Sequence, residues 1–168
     1  MPDKILILNH QQIQQKIDRI AYQILEDNFE EKEIIVAGIL SQGSVIAQRI
    51  ITVLQSIAPF TCTLINIKLD KDSSTLQFST DRDVAECSNK VVILVDDVLN
   101  SGKTLAYGFG VFLDVPLKKL RTVVLVDRNH KSFPVSTDYA GIALSTVIKQ
   151  HVYVSLSESG DEDAVYLG

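Results

Sequence analysis

Residues Val91–Thr104 read VVILVDDVLNSGKT. Five apolar residues, Val91 to Val95, lead into two adjacent carboxylates, Asp96 and Asp97. Val98 and Leu99 follow, then a short loop of Asn100, Ser101, Gly102, Lys103 and Thr104. An unbroken aliphatic run of this kind predicts a strand buried on both faces, as in a parallel sheet. Paired carboxylates accept hydrogen bonds from ribose hydroxyls. Loop amides and hydroxyls at a helix N-terminus donate to phosphate oxygens. The stretch therefore suits a sugar phosphate.

Rival readings of the loop fail on spacing. A Walker A loop needs a glycine five residues before Gly102, and Asp97 stands there. Gly108-Phe109-Gly110 falls inside a predicted helix and not directly after a strand, so a dinucleotide fingerprint fails as well. An isolated acid pair at a strand end is ordinarily a helix cap with a solvated neighbour. The strand before this pair and the SGKT loop after it make it specific.

Outward from this stretch the chain alternates strands and helices. Leu6–Leu8 predicts a short strand, and Asn9 is a good N-cap. Ile13, Ile17, Ile20, Ile24 and Leu25 recur at helical spacing and predict a helix over 10–28. Glu33–Ile39 (EIIVAGI) predicts a buried strand. Gly43–Ile57 predicts a helix with Val45, Ile46, Ile50, Val53 and Leu54 inward. Thr61–Leu69 predicts a strand, and the polar stretch Asp70–Thr80 a mobile excursion. Leu105–Asp114 predicts a helix ended near Pro116, and Arg121–Val126 another strand. The last forty residues hold short strands, HVYVSL among them. The alternation predicts an α/β fold with a parallel sheet and helices on both faces. Ligands of such sheets sit beyond the C-terminal strand ends. Those ends carry Gly38–Gly43, Asp96–Thr104 and Asp127–Lys131.

A chain of 168 residues fits one domain with a sizeable core. It is 46% hydrophobic, and no apolar run approaches the ~20 residues of a membrane helix. The short apolar start MPDKILIL lacks the pattern of a secretory signal. Cys62 and Cys87 form no CxxC pair, so a reduced, cytoplasmic setting is expected, with Cys62 in the core. The net charge of −5 disfavours RNA or DNA as a partner, since nucleic-acid binders usually show a basic stripe.

The chain resembles the type I phosphoribosyltransferases, and over nearly its whole length the bifunctional pyrimidine-operon attenuation regulator and uracil phosphoribosyltransferase family. The resemblance runs through Ile17–Ala21, Ala37-Gly38-Ile39, Ile67–Asp70, VILVDDVLNSGKT and Val124–Lys131 (VLVDRNHK). Gly160–Tyr166 looks like the family's C-terminal turn and strand. It implies the type I phosphoribosyltransferase fold, a central mainly parallel sheet with helices on both faces and a small hood, spanning residues 1–168 as one domain. It implies transfer of a phosphoribosyl group from phosphoribosyl pyrophosphate to a nucleobase, uracil or another base, giving a nucleoside monophosphate and pyrophosphate. Such a transition state carries oxocarbenium character, so positioning and electrostatics matter more than a covalent nucleophile.

The same resemblance assigns residues. Asp96 and Asp97 match the acids near the ribose hydroxyls, and Asn100, Ser101, Gly102, Lys103 and Thr104 the 5′-phosphate loop. Leu40, Ser41, Gln42 and Gly43 match the pyrophosphate loop, and Asp127 and Arg128 the junction of base and pyrophosphate pockets. Asp96, Asp97 and Arg128 are the expected catalytic residues, although Arg128 also reads as an exposed ion pair with its neighbour. Mg2+ is expected on the ligand, with Asp96 and Asp97 beside it. A homodimer or larger homo-oligomer is implied.

Two stretches depart from the family. Its pyrophosphate loop commonly reads Gly-Ile-Lys-Thr-Arg-Gly, and here it is Gly38-Ile39-Leu40-Ser41-Gln42-Gly43, with both cationic positions neutral. Its Tyr-Arg-Asp-Asp stretch after Leu-Asp is replaced by Lys71–Thr75, with no arginine until Arg82. Losing a charge-assisted contact to a transition state costs orders of magnitude in rate. Three functions therefore compete: an active transferase, an RNA-binding regulator that senses nucleotides with weak or no catalysis, and a ligand-binding member of a partner complex. Arg19, Lys118, Lys119, Arg121 and Lys149 are scattered and read as solvated surface. Tyr139, Ile142 and Tyr153 read as core rather than pocket wall.

Overall fold

The computed structural model describes residues 3–70, 77–157 and 162–168. Lys71, most of the expected 70–80 excursion, and Gly160 and Asp161 of the expected C-terminal turn lie outside the described residues. The chain runs β1 (Ile5–Asn9), α1 (His10–Asn28), β2 (Glu33–Ile39), α2 (Gln42–Ile57), β3 (Thr61–Asp70), β4 (Gln77–Thr80), β5 (Val91–Leu99), α3 (Lys103–Gly110), β6 (Lys119–Asp127), β7 (Tyr139–Ala143), β8 (Val152–Ser155) and β9 (Ala164–Leu167). Six strands form one sheet in the order β4-β3-β2-β5-β6-β7. Only β4 in it is antiparallel. A second sheet, β1-β9-β8, is antiparallel throughout and joins the two ends of the chain. It is the small hood.

The two-sided burial follows from period two. Ile34, Val36, Ile93 and Val95 pack into one core with α1, α2 and the hood. Ile35, Ala37, Val92 and Leu94 pack into the other, beneath α3. Asn9 closes a capping box on α1: its side chain accepts from the Gln12 amide at 2.9 Å, and the Gln12 side chain accepts from the Asn9 amide at 2.9 Å. Such a cap contributes about 1 kcal/mol.

The strand order positions the site. From β2 the chain steps to β3 on one side, then crosses to β5 on the other. The order therefore reverses between β2 and β5, and the crevice of an open α/β sheet forms there. Gly43 lets α2 lie against β5 at this point: a Cβ on it would stand 2.6 Å from the Val95 carbonyl oxygen and 3.1 Å from the Asp96 Cα.

Several elements differ from the sequence reading. β5 continues through both acids to Leu99, because Asp96, Val98 and Leu99 keep pairing with β6. α3 starts two residues earlier than expected and ends at Gly110, after which Phe112 N–H bonds to Phe109 O at 3.0 Å in tighter turns. Gln77–Thr80 is a strand because Ile67–Asp70 offers its open edge. Val45 and Val53 are only partly buried, and Gly43, Ala47 and Ile51 take the inward positions. Tyr139 is buried, and its hydroxyl donates to Asp27, but Tyr153 is 42% exposed with the Lys4 ammonium 4.3 Å from its ring centre. Cys62 is half-buried, and burial pushes its thiol up to about 11.

Asp163 ties the hood to α2. Its carboxylate accepts from both Arg49 guanidinium nitrogens, from the Ser157 amide at 3.0 Å and from His10 Nδ1 at 3.3 Å. Burial alone would raise its pKa, but the Arg49, Ser157 and His10 bonds outweigh it and hold the carboxyl below the ordinary carboxylate range. A depressed folded pKa contributes stability above the unfolded value and loses it as pH falls through the folded one. We expect Asp163→Asn to be roughly 2 kcal/mol less stable than wild type at neutral pH, for lack of the charge-assisted bonds. The gap should close on acidification below the unfolded carboxylate value. Thermal melts of both proteins from pH 7 to pH 3 check this, and a pH-independent gap would remove Asp163 from the account.

Candidate active site

The acids and the phosphate-sized loop are one continuous piece of backbone. Asp96 is 9% exposed, and its Oδ1 accepts from the Asp97 amide at 2.9 Å. Asp97 Oδ1 accepts from the Val98 amide at 2.8 Å. These bonds fix both carboxylates against the backbone and leave each with acceptor capacity. The loop turns at Gly102, whose φ of +86° is left-handed, where a side chain is strained. Ser101 Oγ accepts from the Lys103 amide at 3.2 Å, and Ser101 O accepts from the Ser132 and Phe133 amides at 2.8 and 2.9 Å. The loop is thus bonded to the segment after β6.

Opposite it lies the loop after β2. The Leu40–Ser41 peptide is cis, and Leu40 is 47% exposed. Gln42 begins α2 and is engaged with the hood: its Oε1 accepts from the Leu156 amide at 3.1 Å. Ser41 makes no side-chain cap on α2. A cavity of about 260 Å³ lies between this loop, Leu69, both acids, Asn100 and Thr104. A second, of about 510 Å³, is lined by Asn100, Ser101, Arg128–Ser132 and Ile148. Asn100 borders both.

The structure brings Asp96, Asp97, Asn100, Thr104 and the Leu40–Gln42 loop around one cavity. Gly43 lies behind it, packed on β5. Asp127 is turned into the fold: Oδ1 accepts from the Asn129 amide at 3.0 Å and Oδ2 from Thr137 Oγ1 at 3.4 Å. Arg128 is not an exposed ion pair. It is 7% exposed and donates to Thr146 Oγ1 at 3.1 and 3.0 Å, to Asn100 Oδ1 at 2.8 Å and to the Gln150 carbonyl. Its partners are neutral, so its charge is held beside the second cavity by dipoles. Thr146, whose carbonyl bonds to His130, and Ile148 and Gln150 escaped sequence reading. Their stretch, LSTVIKQ, carries no turn or ligand signature.

Among the described residues no group of three or more His, Cys, Asp or Glu side chains is placed to hold a metal. Two carboxylates beside a polar cavity fit a different mode, in which Mg2+ is held largely by ligand oxygens and waters with help from one or two acids. No helix of the described residues is long and apolar enough to cross a membrane.

Residues 6–159 match the family model described as phosphoribosyl transferase domain. The chain belongs to this family. Proteins named bifunctional protein PyrR are similar to it over nearly its full length. That of Alkaliphilus metalliredigens is 34% identical, with 99% of this chain and 96% of that protein covered. That of Bacillus subtilis is 32% identical, with 98% and 97% covered. A solved hypoxanthine-guanine phosphoribosyltransferase of Bacillus anthracis is 25% identical, with a TM-score of 0.71 over 83% of this chain and 82% of that one. The hypoxanthine phosphoribosyltransferase of Trypanosoma cruzi shares the fold at 17% identity, with a TM-score of 0.77 over 98% of this chain and 91% of that one. The α/β fold with its mostly parallel sheet is thus that of the type I phosphoribosyltransferases.

Proposed function

We propose that the crevice binds phosphoribosyl pyrophosphate and that the chain transfers its phosphoribosyl group to a nucleobase, uracil or another base. One observation carries this reading: the acids, the loop opening α3 and the loop after β2 converge at the switch point, and Asn100 joins that cavity to a second one large enough for a base. In the reaction a base nitrogen forms a bond to the anomeric carbon, the bond from that carbon to pyrophosphate breaks, and the base N–H proton leaves to solvent or a nearby acceptor. Asp96 and Asp97 orient the ribose hydroxyls and stabilise positive charge on the sugar. The Ser101–Thr104 amides and hydroxyls hold the 5′-phosphate. Magnesium, carried in with the ligand and met by Asp96 and Asp97, would neutralise phosphate charge when bound.

A second reading, a nucleotide-sensing regulator with little turnover, is supported by specific contacts. Leu40 supplies no cation, Gln42 is engaged with the hood, and Arg128 donates within the protein. Its RNA-binding form has less support. Arg19 bonds to the Ala140 and Gly141 carbonyls, Lys118 pairs with Glu31 at 2.6 Å, and Arg121 lies 4.0 Å from Asp138. Pyrophosphate release with magnesium, screened against uracil, hypoxanthine, guanine, adenine and orotate, separates the readings. Turnover with one base is the expected result. Tight binding of a nucleoside monophosphate without turnover would favour the sensor.

A further inference from the structure

Arginine only donates hydrogen bonds, so the atom of Asn100 facing Arg128 Nη1 at 2.8 Å is the amide oxygen. Arg128 has little freedom to retreat. Its other nitrogens are bonded to Thr146 Oγ1 and the Gln150 carbonyl, and the residue is buried. The Asn100 amide plane is therefore held with its oxygen engaged and its NH2 turned away. Among the described residues that NH2 has no partner, and Asn100 itself is exposed. The residue borders the acid-lined cavity and the one formed by Arg128–Ser132. A fixed donor thus stands where the two spaces meet.

We propose that Asn100 Nδ2 is a specificity-determining donor to the nucleobase, selecting a base that presents an acceptor, a carbonyl oxygen or an unprotonated ring nitrogen, at the junction of the two cavities. This rests on the phosphoribosyl reading of the site. Arg128 holds that orientation, forbidding the flipped amide that would offer an acceptor instead. A base presenting only a donor at that point meets N–H against N–H and is rejected. Sites built to pair one polar group discriminate strongly against its mismatch, because the group is left unsatisfied.

The test compares ligands with and without a base. Dissociation constants of ribose 5-phosphate, uridine 5′-monophosphate and inosine 5′-monophosphate are measured by calorimetry for wild type, Asn100→Ala and Asn100→Asp. The aspartate keeps an oxygen for Arg128, so the surrounding fold is retained, while the donor becomes an acceptor. Asn100→Ala should weaken at least one nucleoside monophosphate by about three- to tenfold, the size of one neutral hydrogen bond, and Asn100→Asp by more than about tenfold. Ribose 5-phosphate should lose less than the nucleotides in both variants, its loss in Asn100→Asp reporting only the charge added beside the phosphate loop. If Asn100→Asp weakens ribose 5-phosphate and the nucleotides equally, or weakens neither, the donor assignment is overturned and Asn100 serves the sugar or only the loop. Wild-type protein that binds none of the three ligands would instead remove the phosphoribosyl reading, and this assignment with it.

Discussion

Gly43→Ala will lower the stability of the fold by about 1–3 kcal/mol and weaken phosphoribosyl ligands beyond what that loss accounts for. Two effects compete at this position. Alanine is the better helix former by about 1 kcal/mol, and Gly43 is the second residue of α2. Against this, the new methyl would stand 2.6 Å from a backbone oxygen of β5 and 3.1 Å from the Asp96 Cα. Neither neighbour is the end of a flexible side chain, so the start of α2 has to move away from β5. Close-packed interiors yield little to such a push, and overpacking wins. The displaced parts are the loop after β2 and the strand that holds Asp96, so cavity width changes along with stability. Gly110→Ala is the control, since a Cβ there meets nothing within 4 Å. Urea melts should show a lower midpoint for Gly43→Ala and none for Gly110→Ala. Ribose 5-phosphate titrations, run where Gly43→Ala is still folded, should show weaker binding for that variant alone. Unchanged midpoints for both would mean that α2 and β5 tolerate separation.

The contrast between what was legible and what was not follows the range of the interactions. VVILVDDVLNSGKT could be read because strand burial, acids and loop all lie within fourteen consecutive positions. The first helix could be read because isoleucine recurs at helical spacing behind the Asn9 cap. Where β5 ends could not, since its last residues stay extended only by pairing with β6. The hood was legible as short strands but not as a sheet, because β1 and β9 pair across almost the whole chain.

The site divides in the same way. Asp96, Asp97, Asn100 and Thr104, close together in sequence, line one cavity at the end of β5. Arg128 was singled out, but its partners lie 18 to 28 positions away in stretches without a signature. A surface ion pair and a buried brace look the same in one dimension. Gln42 shows this more sharply. Its neutrality was visible, yet its bond to the Leu156 amide spans 114 positions. That contact changes the meaning of the substitution, because the residue that replaces a family cation has a structural partner of its own.

The neutral loop therefore leads to an asymmetric result. Leu40→Lys should tighten phosphoribosyl pyrophosphate by about tenfold or more and leave ribose 5-phosphate nearly unchanged. Leu40 is 47% exposed, and its backbone amide donates to the Ile67 carbonyl at 2.8 Å. A lysine there loses little packing and puts an ammonium beside the cavity that faces Asp96 and Asp97. A hydrogen bond to a charged group contributes about 1.5–3 kcal/mol, and 1.4 kcal/mol is a factor of ten. Gln42→Arg starts from a worse position. It adds a guanidinium able to grip pyrophosphate in bidentate fashion, but it removes the acceptor of the Leu156 amide and loosens α2 from the hood. Its net gain should be smaller, with a lower melting midpoint that Leu40→Lys does not share. The ratio of the two ligands' dissociation constants cancels any general change in the phosphate loop and isolates the pyrophosphate contact. An unchanged ratio in Leu40→Lys would mean that the loop after β2 does not face the pyrophosphate. The lost cations would then explain nothing about turnover, and weak catalysis, if found, would have to be traced to the stretch after Asp70.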